Sequence, residues 1–419
     1  MKRVFNISLF SLFCFIFSPP ALYSGVIYVG GESNIISIRQ ALETASDGDI
    51  IIIKEGIYKE YNLIVSKKLQ IIGENYPVID GDGKDEIFTV RADGCVFKNL
   101  VIKNTGISFL KDIAGIKVEN CKNVLIENNI FDNTFFAVYL SGTDSCKIIS
   151  NNVIGSATSE SFSGNGIHLW KCRNILIENN QVSGQRDGIY IEFSTYCKIN
   201  KNFSYKNLRY GLHFMFSEGN SYVKNTFRQN GAGVAVMYTK NIEMINNSFE
   251  DNWGPNSYGL LLKDIDKSYI SGNSFRRNTT GIYMEGSNGT TINGNSFFSN
   301  GWAIKILGNC YEDSVKNNNF LNNTFDVSTN SSQNSNLFDS NYWDKYYGYD
   351  LDKDSFGDVP YRPVSLFSTV AENSPDAMLL LRSFLVDLLD VTEKVFPVFI
   401  PETLVDNKPQ MKMIYYDKN

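Results

Sequence analysis

The chain has 419 residues, 43% of them hydrophobic, and carries 39 basic against 45 acidic side chains for a formal net charge of −6. That apolar content is ample for a core, and an acidic chain is a poor nucleic-acid binder. It has no Gly-rich GxxxxGK[ST] phosphate loop, so any nucleotide chemistry belongs to another protein.

Residues 1–24 read as a secretory signal peptide: Met1-Lys2-Arg3 precede an apolar run over 4–18, and small or turn-prone residues follow as far as Gly25. The run is too short and wrongly flanked to span a bilayer. Cys14 follows Phe13 inside it and makes a poor lipoprotein cysteine. Residues 25–75 form an N-terminal cap and the first rungs of a repeat. The stretch 36–45 is amphipathic and predicts a helix closing one end of a solenoid, where an apolar cross-section and strand edges would otherwise meet water. Asp47-Gly48-Asp49 then turns into four consecutive isoleucines, Ile50 to Ile53.

Residues 76–340 carry the repeat itself. An Asn recurs at Asn129, Asn152, Asn180, Asn202, Asn225, Asn247, Asn273, Asn295 and Asn318, in steps of 22 to 28 residues. A period of this size marks a solenoid. From Asn152 to Asn273 each Asn is followed by a Gly that opens a short run, as in Gly166-Ile-His-Leu-Trp, Gly188-Ile-Tyr-Ile-Glu, Gly211-Leu-His-Phe-Met and Gly233-Val-Ala-Val-Met. The first and third residues after the Gly are always apolar, the pattern of a half-buried strand. About 22 residues per turn leave no room for a helix. The expected fold is therefore all-β, a right-handed single-stranded parallel β-helix of pectate-lyase-like architecture, with the Asn side chains stacked at one corner. Cys95, Cys121, Cys146, Cys172 and Cys197 also recur once per turn. They read as a stack of small buried side chains, ahead of inter-rung disulfides after export and of a thiolate copper site.

The outward strand positions carry the functional signal. The second residue after the Gly reads His168, Tyr190, His213, Ala235, Leu261, Tyr283, and the fourth reads Trp170, Glu192, Met215, Met237, Lys263, Glu285. His213 and Met215 fall ~6.6 Å apart along one strand, and Met237 lies one rung, ~4.8 Å, from Met215. Imidazole and thioether together suit Cu(I), which makes His213, Met215, Met237 and His168 a candidate copper face. His168 is two rungs from His213, ~9.6 Å, too far to share one ion. The turns from Asn152 to Gly166 and from Asn247 to Gly259 are longer than the others, and both emerge at one corner, walling a groove beside these rungs. Exposed Met and aromatic side chains, Trp170 and Tyr190 among them, equally mark a protein-docking face.

Residues 341–363 form an acidic segment in which Asp350, Asp352, Asp354 and Asp358 take positions 1, 3, 5 and 9 of a calcium-type loop, with Ser355 and Tyr361 departing from that pattern. Residues 364–419 form a helical and extended tail. A long apolar helix is expected over 376–396, docking either against the solenoid's end or onto a membrane-embedded partner, with Met378, Leu379, Leu380, Phe384 and Leu385 as its partner-binding residues; charges interrupt it too early for it to span a membrane. A second functional class, a polysaccharide lyase, an epimerase or a carbohydrate-binding β-helix, would draw on Arg186, Asp187, Glu192 and Lys263, although these lie on different rungs without an evident acid and base pair.

The phrases GNGIHLWKCRNILIENN, LRYGLHFMFS, GAGVAVMYTKNIEMI and YGLLLKDI resemble the NosD family of nitrous oxide reductase maturation proteins, as do NYWDKYYGYDLDKDSFGDVPYRPVSLF, LLLRSFLVDLLD and EKVFPVFIPETLVD. The likeness covers nearly the whole mature chain. It implies a non-catalytic periplasmic β-helix protein that works with the ATPase and membrane subunit of an ABC-type transporter and with a copper donor protein in assembling the copper centres of nitrous oxide reductase. On that reading the tail over 376–405 docks on the membrane subunit, and the His/Met face meets copper or its carriers. The cysteine series has no place in it.

Overall fold

The computed structural model describes residues 24–108, 110–331, 335–381, 383, 384, 386, 388, 389 and 404–416. Residues 1–23 of the expected signal peptide, and Leu385 of the expected docking set, lie outside them. Short strands follow one another round a coil, each pairing in parallel with the strands one turn before and after it. Three sheets of 14, 12 and 13 strands result, an all-β parallel solenoid.

The strands are short because each needs only one inward side chain per face. In Leu176–Glu178 it is Ile177, buried between two half-buried neighbours. Where the inward residue is aromatic, rings stack along the axis. Phe227, Phe249, Phe275, Phe297, Phe320 and Trp343 follow one another at centroid spacings of 5.6, 4.6, 4.9, 4.9 and 4.0 Å.

The corner Asn stack forms with one change of member: Asn151 takes the place expected of Asn152, which lies on the strand Asn152–Ile154. Each ladder Asn accepts at Oδ1 from both the backbone N and the Nδ2 of the Asn one turn earlier, as Asn225 does from Asn202 at 2.8 and 3.0 Å. A second ladder, at another corner, runs through Asn207, Asn230, Asn252, Asn278, Asn300 and Asn323.

The cysteines occupy two alternating places instead of one. Strand register puts Cys95, Cys146 and Cys197 in one column with Val124 and Ile175 between them. Cys121 and Cys172 belong to a second column, with Thr143 between them. All six cysteines among the described residues are buried and free. Their thiols donate to carbonyls, Cys172 Sγ to Leu140 O at 3.3 Å for example. Burial pushes the Cys121 and Cys146 thiols up to about 11, keeping them protonated.

Both ends of the solenoid are closed. At the first, helix α1 (Ile38–Thr44) buries Ile38, Ala41 and Leu42. The Glu60 carboxylate accepts from the free N–H groups of Ile38 and Arg39 at 2.7 and 3.0 Å. Lys67 Nζ donates to the carbonyls of Leu42, Glu43 and Ala45. At the far end the chain returns after residue 403. Asp406 Oδ2 accepts from Asn341 N, Asn341 Nδ2 and Trp343 Nε1 at 3.0, 3.1 and 3.0 Å, so a carboxylate ends the Asn ladder.

The helix of the tail begins earlier than expected. Helix α2 (Leu366–Asn373) packs Phe367 on Phe325, and Lys305 Nζ meets Glu372 Oε2 at 2.7 Å. The chain then breaks at Ser374-Pro375 and continues as a 3-10 turn, Pro375–Leu380. Proline lacks the N–H that would continue α2 and disfavours helical geometry in the residue before it, which ends α2 here. The stretch expected to be helical from 376 opens instead as this 3-10 turn, which Leu381 closes by leaving helical geometry (φ −53°, ψ 129°).

Candidate functional site

The 12-stranded sheet carries the expected face, and its register is the one the period-two pattern implies. His168 pairs with Tyr190, Tyr190 with His213 and His213 with Ala235. Along the fourth position Trp170, Glu192, Met215, Met237, Lys263 and Glu285 align rung by rung.

Exposure departs from expectation. His168 and His213 point away from the lumen, yet they are only 8% and 4% exposed. Rings from neighbouring rungs cover them. Tyr139, His168, Tyr190 and His213 follow one another at centroid spacings of 4.9, 4.7 and 4.7 Å, the pairs tilted, edge-to-face and stacked in turn, with Phe136 against His168 and Tyr210 against His213. Tyr190 stands between the two imidazoles, separating them as the two-rung spacing requires. Met215 and Met237 are half-buried, and Tyr190 Oη donates to Met215 Sδ at 3.5 Å.

Beside these rings Asp187 forms a buried charge pair with Arg209 of the next rung, a partnership the sequence pattern does not single out. Asp187 is 0% exposed. Arg209 grips it through Nε and Nη2 at 2.8 and 2.5 Å, and Tyr210 N adds a third donor at 3.3 Å. Such a two-pronged grip is among the stronger arrangements available to a buried ion pair. Burial alone would raise the Asp187 carboxyl, but the Arg209 guanidinium, with His213 beside it, more than offsets this and holds the group down at about 2. His213 Nδ1 lies 3.7 Å from Asp187 Oδ2. Among the described residues neither ring nitrogen of His213 has a hydrogen-bond partner, nor has His168 Nε2. Burial, reinforced by the Arg186 charge, pushes the His168 imidazole down to about 3.

A groove of about 410 Å³ runs beside the earlier rungs, lined by Asp112, Lys117, Glu119, Tyr139, Ser141, His168, Trp170 and Glu192. His213, Met215 and Met237 are not part of its wall. The long turn after Asn151 shapes a second recess of about 190 Å³ with Phe162, Ser163 and Gln185. Next to the Met positions the chain does something sequence reading missed. Phe193, Phe216 and Tyr238 take left-handed backbone angles (φ 49, 49 and 54°), half-exposed, with rings stacked at 5.2 and 5.1 Å. The angle itself belongs to the corner of the coil, since the equivalent residues Asn120, Lys171 and Asp264 on other rungs share it (φ 54, 52 and 51°); what is particular here is that the corner residues are aromatic. The signal was an aromatic residue one place after each of Glu192, Met215 and Met237.

The acidic segment gathers three of its four expected ligands: carboxylate oxygens of Asp350, Asp352 and Asp354 lie within 4.8 Å of one another. Asp358 turns away, accepting from Leu351 N at 2.7 Å. The cluster also caps its own turn, since Asp350 accepts from the N–H groups of Asp354 and Ser355. In the tail, Met378 packs with Phe325, Phe367, Val386 and Trp302 against the solenoid, while Leu379 and Phe384 are 89% and 80% exposed and Leu380 is exposed beside them. Among the described residues no helix is long and apolar enough to cross a membrane.

The architecture is that of pectate-lyase-like β-helix proteins. A family 28 exopolygalacturonase of Yersinia enterocolitica superimposes with a TM-score of 0.55 at 9% identity, over 75% of this chain and 78% of that one. The Dettilon tailspike protein does so at 0.52 and 13%, over 75% and 68%. At these identities the likeness is one of fold alone. Within that class, residues 155–349 match the family described as "Periplasmic copper-binding protein (NosD)". The "Probable ABC transporter binding protein NosD" of Pseudomonas aeruginosa is 28% identical, over 84% of this chain and 86% of the relative. The protein of the same name from Stutzerimonas stutzeri is 26% identical, over 83% and 84%. Over most of its length the chain is thus similar to proteins named NosD.

Proposed function

We propose that the chain is a non-catalytic periplasmic factor that assists copper-centre assembly of nitrous oxide reductase, together with a copper donor protein and the ATPase and membrane subunit of an ABC-type transporter. The observation that carries the copper part is the donor set on consecutive rungs of one sheet: a buried imidazole without a hydrogen-bond partner at His213, beside the half-buried thioethers of Met215 and Met237. These soft and borderline ligands fit Cu(I). The partner part is supported by the relatives' names and by the apolar crest of Leu379, Leu380 and Phe384 on a segment pinned to the solenoid at its other face. Exposed apolar crests of this kind serve as contact sites.

The groove beside His168 offers the alternative, a polyuronate-processing site. Its charge counts against that substrate: Asp112, Glu119 and Glu192 face a single amine, Lys117, and Lys117 is already engaged by Glu86 and Glu119 at 3.5 Å. Anaerobic Cu(I) titration of the mature chain against a competing chelator tests the copper reading. Stoichiometric binding that is lost in His213→Ala, Met215→Ala and Met237→Ala is the expected result. A wild-type chain that fails to compete for Cu(I) would overturn it and leave the face as a docking surface for copper carriers.

A further inference from the structure

The two histidines of the face sit in opposite hydrogen-bonding surroundings. At His168, Nδ1 lies 3.2 Å from Asn165 Nδ2. Which end of the Asn165 amide faces the ring is fixed by Arg186, whose Nε donates to Asn165 Oδ1 at 3.2 Å. A guanidinium can only donate, so Oδ1 must face Arg186 and the NH2 end must face His168. His168 Nδ1 is therefore an acceptor, and in the neutral ring the proton stands on Nε2. An N–H nitrogen has no lone pair to give a metal, so both nitrogens of His168 are committed.

His213 faces the reverse situation. The Asp187 carboxylate lies 3.7 Å from its Nδ1 and is itself gripped by the Arg209 fork. A carboxylate accepts only, so it favours the proton on Nδ1 and leaves the Nε2 lone pair free. The rings of Tyr190 and Tyr210 pack on His213 at centroid distances of 4.7 and 4.9 Å and restrain its rotation. A carboxylate behind a neutral imidazole is the arrangement that orients metal-ligating histidines and raises their basicity.

We infer that Asp187 is a positioning residue that presents His213 Nε2 as the one imidazole donor for copper on this face, and that His168 is excluded from the site by the Arg186–Asn165 relay. The inference rests on the copper reading above. Its geometry also fits Cu(I) electrostatically, because the carboxylate and guanidinium behind the ring neutralise each other and leave neutral donors in front.

Two measurements on the full mature chain test it. Imidazole ¹⁵N spectra of the metal-free protein at neutral pH report the tautomers directly; the expected result is Nδ1–H for His213 and Nε2–H for His168. In Cu(I) titrations against a chelator, Asp187→Asn should weaken binding on the order of 10- to 100-fold, while His168→Gln should leave it unchanged. The double variant Asp187→Asn/Arg209→Gln removes both buried charges together and should show the same copper loss, which separates positioning from an unpaired-charge folding defect. Reversed tautomers, or copper binding that depends on His168 and survives loss of Asp187, would overturn the inference. A wild-type chain that binds no copper yet shows the stated tautomers would overturn the copper reading and the donor role, and leave the orientation of His213 standing.

Discussion

Asp313 shows what the column positions demand of a single side chain. It is buried, its Oδ1 accepts from Thr290 N at 2.7 Å and from Ser287 Oγ at 3.3 Å, and its Oδ2 has no donor among the described residues. Burial pushes the carboxyl up to about 6. The folded state thus prefers the protonated acid, so the stability this group contributes is present below the ordinary carboxyl range and is lost as pH rises through about 6. Asp313→Asn removes the penalty. Its unfolding free energy should exceed that of the wild type at pH 7.5, by on the order of 2 kcal/mol, and the gap should close toward pH 4; a gap independent of pH would refute this. Asp326, raised to about 6 by burial beside Lys345, leaves a residual slope of the same sign. What the sequence reveals at this scale is facing, not cover. The period-two pattern places His213 and Met215 correctly on one side of one strand, but the rings that bury His213 come from other rungs and from Tyr210 on its own strand. The Asp187–Arg209 pair is likewise invisible until the register brings Asp187 opposite Tyr210.

Elements were legible where one rule governs them and illegible where two compete. The coil itself follows from a period that repeats with few exceptions. The member Asn151 was misread as Asn152 because two adjacent asparagines satisfy the same spacing, and only backbone geometry separates the corner from the strand. The alternation of the cysteines between two columns was hidden by steps of nearly equal length. In the tail, the apolar pattern past 376 suggests one helix, whereas the segment opens as a 3-10 turn that ends where Leu381 leaves helical geometry. The result is a short segment with two faces, Met378 inward and Leu379 and Phe384 outward. The double variant Leu379→Ser/Phe384→Ser should therefore leave the unfolding free energy within about 0.5 kcal/mol of wild type, since exposed substitutions cost little. It should abolish co-purification with the membrane subunit. Retained co-purification would remove this crest from the proposed interface.

For the whole molecule, stability is close to a sum over turns and their interfaces, which makes the ends decisive. Asp406 joins the far end to the ladder, and Ser340 N and Lys408 N also donate to it, each at 3.1 Å. Asp406→Ala would leave the buried donors of Asn341 and Trp343 without an acceptor, at a cost on the order of 3 kcal/mol. In hydrogen exchange, amides of the rungs near 318–343 should lose protection first while those near 100–200 stay slow. Uniform loss along the coil would mean that the turns unfold as a single unit.

The same carboxylate sets an order of events as the chain is made. Asp406 follows its ladder partner Asn341 by 65 residues. During amino-to-carboxyl emergence the rungs behind Asn341 can stack one on another, each templating the next, while the final acceptor is still to appear. For that interval the growing coil carries an open edge able to recruit a foreign strand, and arrival of the returning segment ends that window of vulnerability.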